Sequence, residues 1–205
     1  MYKFSYYTEQ DHEKVMQFMK ENAFALITGI GEKYPVATQI PLAIKLVDGK
    51  IFLEGHMMRK TDHHLAFEKN NNVLVLFTGP HCFVTANWYT DPAMGSTWNY
   101  MTVHAKGKIS FADEEGTIQM VKAVSDKYVG TQTPASFDNL SNDYISHMVK
   151  AIIGFSIEVE TIDNVFKLSQ NRDLDSQKNI IEQLKKRGDE HSAKIAAEME
   201  SRLES

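Results

Sequence analysis

The chain has 205 residues, 42% hydrophobic, 10% aromatic and 24% charged, an ordinary globular composition long enough to bury a core. Lys and Arg number 22 against 27 Asp and Glu, a net charge of −5 that argues against broad electrostatic capture of nucleic acid. Cys82 is the single cysteine, the longest apolar runs, such as Val73–Phe77, have five residues, and MYKFSYYTEQDHEK opens without an apolar stretch. A disulfide scaffold, a membrane-spanning helix and a signal peptide are therefore not expected. The prediction is a soluble, cytoplasmic protein with no membrane association.

In chain order, Thr8 precedes a helical segment with Val15, Phe18 and Met19 on one face. Ala25–Thr28 and Val36–Ile40 read as strands around a Gly-Ile-Gly turn. Asp48-Gly49 between Ala43–Val47 and Ile51–Glu54 is a strong hairpin signal. Thr61 can cap a short helix running DHHLAFEKN. Strands are expected at Val73–Thr78, Cys82–Thr85 and Met101–Phe111, followed by helices near 113–128 and 142–150. Ile153–Thr161 and Val165–Leu168 read as a strand pair turning at Asp163-Asn164. From Leu174 the pattern is helical, broken at Gly188, with an apolar stripe of Ile195, Met199 and Leu203. That stripe suits either packing on its own domain or a dimerisation arm. Six to eight strands with helices between them predict a mainly β fold, a barrel with peripheral α-helices.

No DNA reader is visible. The loop TQTPASFDNLS between the two central helices is far longer than a helix-turn-helix tolerates, and Lys122 and Lys127 stand isolated among acids. No HExxH pattern occurs, and Cys82 lacks a CxxC partner. His63 and His64 would point about 100° apart on a helix. His56, His81 and His104 are scattered over three strand ends, so no metal site is expected, although a single histidine ligating haem stays open. GxSxG, Walker A and GxGxxG patterns are missing too, which removes the usual support for hydrolase, kinase and Rossmann functions.

Three segments carry candidate chemistry. In Gly55–Thr61, adjacent Arg59 and Lys60 lie between a strand and a helix start, a setting suited to a phosphate dianion. Taken alone, such a pair reads first as an ordinary solvated loop. Trp88, Tyr89, Trp98 and Tyr100 crowd both tryptophans into thirteen residues. With Thr97, Asn99 and Thr102 they could hold a planar heterocycle, although a core aromatic cluster is the more ordinary reading. Lys167-Leu-Ser-Gln-Asn-Arg172 gathers two cations, two amides and a hydroxyl at a strand end. Asn171 and Asp173 can serve there as helix caps, which leaves Lys167, Gln170 and Arg172 without a task.

The segments GPHCFVTANWY, TWNYMTVHAKGKI, AIIGFSIEVE and KLSQNR, in this order and spacing, resemble the PaiB family, and the likeness runs through the QLKKRGDEHSAKIAAEM tail. Those proteins are described as FMN-binding negative transcriptional regulators, associated with protease synthesis and sporulation in bacilli. The family in turn resembles the pyridoxamine phosphate oxidase-like split β-barrels, homodimers with FMN in clefts between subunits. The resemblance implies FMN as cofactor. Arg59 and Lys60 would hold its phosphate, with His56 beside them. Thr97, Trp98, Asn99, Tyr100 and Thr102 would lie along the flavin-binding strand. Lys167, Gln170, Asn171 and Arg172 would come from the partner chain. It also implies a split-barrel domain over residues 1–173 and a C-terminal helical arm over 174–205, packed on the barrel or the partner. The chain departs from the family pattern in lacking a proline in MYKFSYY, in reading MMRKTDHH where Asn-Pro is common, and in carrying Ser96 before TWNY. Two functions follow from the likeness, a flavin-binding transcriptional regulator or a flavin-dependent oxidoreductase of unnamed substrate with unknown catalytic residues. Direct DNA binding has no support in the residues themselves.

Overall fold

The computed structural model describes Met1–Tyr2 and Phe4–Glu204. Six α-helices and seven strands follow one another as α1 (His12–Glu21), β1 (Phe24–Gly29), β2 (Val36–Pro41), β3 (Ala43–Val47), β4 (Lys50–Met58), α2 (Asp62–Lys69), β5 (Asn72–Val84), β6 (Thr97–Phe111), α3 (Glu114–Tyr128), α4 (Asn142–Ala151), β7 (Ile152–Lys167), α5 (Leu174–Arg187) and α6 (Glu190–Glu204). The strands form one seven-stranded sheet in the order β2-β1-β5-β6-β7-β4-β3. The pairs β1–β2, β1–β5, β3–β4 and β4–β7 are antiparallel. Two compact units result. A strand-rich unit comprises Met19–Phe77 and His104–Ile162, and a terminal unit comprises Met1–Phe18, Thr78–Val103 and Asp163–Ser205. Strands β5, β6 and β7 contribute residues to both.

In the strand-rich unit, strand alternation sends Val73, Val75 and Phe77 of β5 and Ala105 and Ile109 of β6 into a core shared with Ile27, Leu53 and Phe67. The start of β7 breaks the alternation: Ile152, Ile153, Gly154 and Phe155 are all buried, because α3 covers the second face. Gly154 donates its N–H to Thr117 Oγ1 on α3 at 2.9 Å, and a Cβ there would stand 2.8 Å from Met120 Sδ. The β3–β4 hairpin closes as the sequence predicts. Asp48 and Gly49 both adopt positive φ, 49° and 77°, the two-residue turn whose twist matches the strands, and Val47 pairs with Lys50.

Helix starts follow capping chemistry. Thr61, Asp113, Ser141 and Asp173 each accept a hydrogen bond from a backbone N–H of the first turn, on α2, α3, α4 and α5. Helix α1 starts later than Thr8 suggests. Asp11 Oδ1 accepts from Glu13 N and Lys14 N, so Asp11 serves as the cap, whereas Thr8 Oγ1 turns back to Phe4 O.

Two expected interruptions are not interruptions. Strand β5 runs unbroken through Gly79-Pro80-His81 and β7 through Asp163-Asn164. At Gly79 the absent side chain admits the Phe18 ring. At Asn164 the amide takes the place of a partner strand, with Oδ1 accepting from Glu9 N at 2.8 Å and Nδ2 donating to Glu9 O at 3.0 Å. In the same terminal unit α5 and α6 pack on each other, joined at Gly188 with φ 75°. Ile195 and Met199 are buried, while Leu203 is exposed.

Candidate functional site

In the strand-rich unit, β4 ends at Met58 and passes through Arg59 and Lys60 into the Thr61 cap of α2. Arg59 is half-buried and doubly anchored to the entry of β7. Its backbone N–H donates to Ala151 O and its Nε to Ile152 O, both at 2.8 Å. Its two terminal amino groups have no partner among the described residues. Lys60 is exposed and left-handed, φ 62°, with its N–H donating to His64 Nδ1 at 3.3 Å. That conformation costs a side-chain-bearing residue about 1–2 kcal/mol.

Beside this turn lies a cavity of about 290 Å³ lined by residues of β2, by His56, Met57 and Met58 of β4, by Thr61 and His63, and by Ile152. His56 lowers into it from β4. Burial pushes its pKa down, and its Nδ1 is buried without a hydrogen-bond partner. Residue spacing predicts that His63 and His64 diverge, and they do. His63 faces the cavity, while His64 is buried with its ring 4.9 Å from Phe111. His63 and Thr61 line the cavity, which the sequence does not signal, because adjacent histidines argue against a metal and a capping threonine looks merely structural.

The remaining candidates belong to the terminal unit. Lys167 Nζ donates to Thr97 Oγ1 and stands 5.8 Å from the Tyr2 ring. Burial, and then the charge of Arg172, hold the Lys167 pKa below the usual lysine range. Neither cation has a carboxylate partner among the described residues. Arg172 lies over Tyr89 at 4.3 Å, with further contacts to Met94 Sδ and Gly95 O. Gln170 closes its own turn: Oε1 accepts from Leu168 N at 2.7 Å and Nε2 donates to Phe166 O at 2.5 Å. Asn171 is exposed. Asn99 is fully buried, with Oδ1 accepting from Ser169 Oγ at 3.0 Å and Nδ2 reaching Met199 Sδ at 3.5 Å. Thr102 is half-buried on the same strand. The four aromatics do not form one cluster. Trp88 sits under Arg187 and Tyr89 under Arg172, Trp98 lies near His81 and Phe83, and Tyr100 neighbours Tyr2.

Among the described residues no group of three or more His, Cys, Asp or Glu could hold a metal, and no helix is long and apolar enough to cross a membrane. Cys82 is buried, which pushes its thiol up to about 11.

The fold is that of a mainly β, split-barrel protein with peripheral helices, and solved structures share it. The FAD and heme binding protein from Mycobacterium smegmatis aligns with a TM-score of 0.61 at 13% identity, over 83% of this chain and 78% of that one. The flavocytochrome Anf3 from Azotobacter vinelandii aligns at 0.62 and 14% identity, over 81% and 72%. In sequence, the chain is 32% identical over 204 residues to the protease synthase and sporulation protein PAI 2 of Bacillus subtilis, spanning 99% of this chain and 98% of that protein. It is 27% identical over 255 residues to an uncharacterized protein of Aspergillus fumigatus, over 98% and 97% of the two. Residues 1–161 match the family described as "Putative FMN-binding domain", and the chain belongs to that family.

Proposed function

We propose that this protein is a PaiB-type flavoprotein that binds FMN by its phosphate at the pocket between β4 and α2, and does so as a homodimer. The observation that carries the reading is the orphaned His56 Nδ1. A buried ring nitrogen without a partner, beside a cavity that also presents Thr38, Gln39, Thr61 and His63, is costly unless a ligand or water meets it. Arg59 supports the same reading. Its Nε is fixed on Ile152 O, so the guanidinium is oriented before any ligand arrives and its terminal amino groups suit a bidentate phosphate contact. Lys60 adds a second charge on the adjacent residue.

Bound FMN would supply hydride and electron transfer. The chain's own part is to hold the phosphate through Arg59 and Lys60 and to meet the ligand with His56. Thr97, Trp98, Tyr100 and Thr102 would contact the flavin. A second copy's Lys167, Asn171 and Arg172 would complete the site, a reading supported by the two neighbouring cations, which have no carboxylate partner among the described residues. The regulatory role implied by the PaiB resemblance would pass through a protein partner rather than base readout. The net charge is −5, and neither α3 nor α4 carries an arginine.

Quenching of FMN fluorescence on titration with the protein tests the site. Removing both cations by Arg59→Ala with Lys60→Ala is expected to weaken FMN at least tenfold, given about 1.5–3 kcal/mol per hydrogen bond to a charged group. Riboflavin, which lacks the phosphate, should change far less. Unchanged FMN affinity would remove the phosphate assignment.

A further inference from the structure

We infer that His63 supplies a third, proton-dependent positive charge beside the anionic end of the pocket's ligand, so that affinity for a phosphate-bearing flavin falls as pH rises. The inference rests on the flavin reading above and adds a residue and a regulation to it.

Hydrogen-bond geometry sets the proton count of the ring. Thr61 Oγ1 carries one proton and has three neighbours. Met58 O, at 3.1 Å, can only accept, so it takes that proton. The N–H of His64 donates into the same oxygen at 3.4 Å. The third neighbour is His63 Nε2 at 3.0 Å, and with the hydroxyl proton engaged this contact needs an N–H on the imidazole. On the other side of the ring, His63 Nδ1 stands 3.1 Å from Asp62 Oδ1, which as a carboxylate can only accept. That contact needs a second N–H. All four contacts are satisfied together only when both ring nitrogens carry protons. Loss of one either takes the threonine proton from Met58 O or turns a bare Nδ1 lone pair against the carboxylate.

The position makes this proton count matter to a ligand. The His63 side chain is 14% exposed and lines the cavity, whereas Asp62 is 79% exposed. Apart from Arg59 and Lys60 on the turn before the helix, the elements around the ring bring few charges. Strand β2 offers Thr38, Gln39, Ile40 and Pro41, and β7 offers Ile152. Strand β4 brings His56, whose charged form burial disfavours, so it adds no compensating charge above neutrality. Among the described residues Asp62 is thus the one carboxylate paired with the ring, and hydrogen bonds from the His63 backbone and side chain keep its own pKa below the usual range. With His63 protonated the Asp62–His63 pair is neutral; with His63 deprotonated it is a net negative charge beside the anion site.

The expected size follows from Coulomb's law. One unit charge a few ångströms from a phosphate at a largely solvated site changes affinity by roughly three- to tenfold. The phosphate itself works in the opposite direction, gaining charge near pH 6 and binding cations better as pH rises, so the informative window lies above pH 6.5.

The test is titration of FMN and of riboflavin into the full-length protein from pH 6.5 to 8.5, with His63→Gln and Asp62→Asn alongside. Wild-type FMN affinity is expected to fall three- to tenfold across the window, while riboflavin affinity stays level. His63→Gln should bind FMN with a level profile, and Asp62→Asn should move the fall to lower pH. A level wild-type FMN profile, or a slope retained in His63→Gln, overturns the inference and leaves the flavin site standing. Failure of both flavins to bind at any pH overturns the flavin reading and this inference together.

Discussion

Replacing Asn99 by alanine is expected to act on stability first, and the structure sets the size. Asn99 is fully buried, and its Oδ1 is the acceptor for Ser169 Oγ, itself only 2% exposed. Asn99→Ala removes that acceptor and leaves a buried hydroxyl unpaired, which costs about 1–3 kcal/mol. The side-chain void adds roughly 1 kcal/mol, and the long contact to Met199 Sδ contributes little. The single variant should therefore lose about 2–4 kcal/mol. Ser169→Ala leaves Asn99 Oδ1 without its donor and should lose about 1–2 kcal/mol. The double variant removes both polar partners, so it should cost less than the two singles added, with a coupling of about 1 kcal/mol or more. Urea unfolding at fixed protein concentration, without flavin, measures all three against wild type. A loss under 0.5 kcal/mol for Asn99→Ala, or strictly additive singles, would refute the reasoning. Asn99 would then be free to contact the flavin, as the family resemblance implies.

Two further predictions concern the frame around the site. In β6, a Cβ at Gly107 would collide with the backbone carbonyl of Glu158 on β7, so Gly107→Ala must force two paired strands apart. A loss of about 3 kcal/mol and a clearly lowered Tm are expected, and a wild-type Tm would contradict the packing. Asp173 caps α5, and hydrogen bonds from the Ser176 side chain, the Ser176 backbone and Thr90 hold its carboxyl down to about 2. Because the folded pKa lies below the unfolded one, its contribution is full above about pH 4 and is lost as pH falls toward 2. Asp173→Asn should therefore flatten the acid limb of urea midpoints measured over that range, and an unchanged limb would count against the cap.

Much of the fold is legible because local chemistry and tertiary structure agree. Asp48-Gly49 demands the turn it makes, and Thr61 caps the helix its position announces. Where they disagree, a distant partner wins. Gly79-Pro80 and Asp163-Asn164 carry turn propensity, yet the Phe18 ring needs the space at Gly79 and the Glu9 backbone needs the amide of Asn164. The candidate site divides in the same way. Arg59 and Lys60 are readable as a cation pair between strand and helix because their role depends on sequence neighbours. The commitments of Gln170 to its own turn and of Asn99 to Ser169 depend on register and burial, which composition does not encode. His63 escapes notice for the same reason, since only the fold aims it into the cavity and His64 away.

Backbone conformation links these threads. Among the described residues three without a glycine's freedom have positive φ: Asp48, Lys60 and Ser169. Asp48 belongs to a hairpin turn that tolerates it. Lys60 and Ser169 lie instead in the two basic segments, and glycine at either position would remove a cost of about 1–2 kcal/mol. At Ser169 the hydroxyl gives a local reason, because it bonds the buried Asn99 and so fixes the turn that carries Lys167 and Arg172. At Lys60 the side chain has no partner among the described residues, and the backbone bond to His64 would survive in a glycine. What glycine would lose there is the charge. A strained lysine next to an arginine already oriented by Ile152 O, on the turn between the cavity-lining Met58 and Thr61, is the preorganisation that the proposed anion site would use.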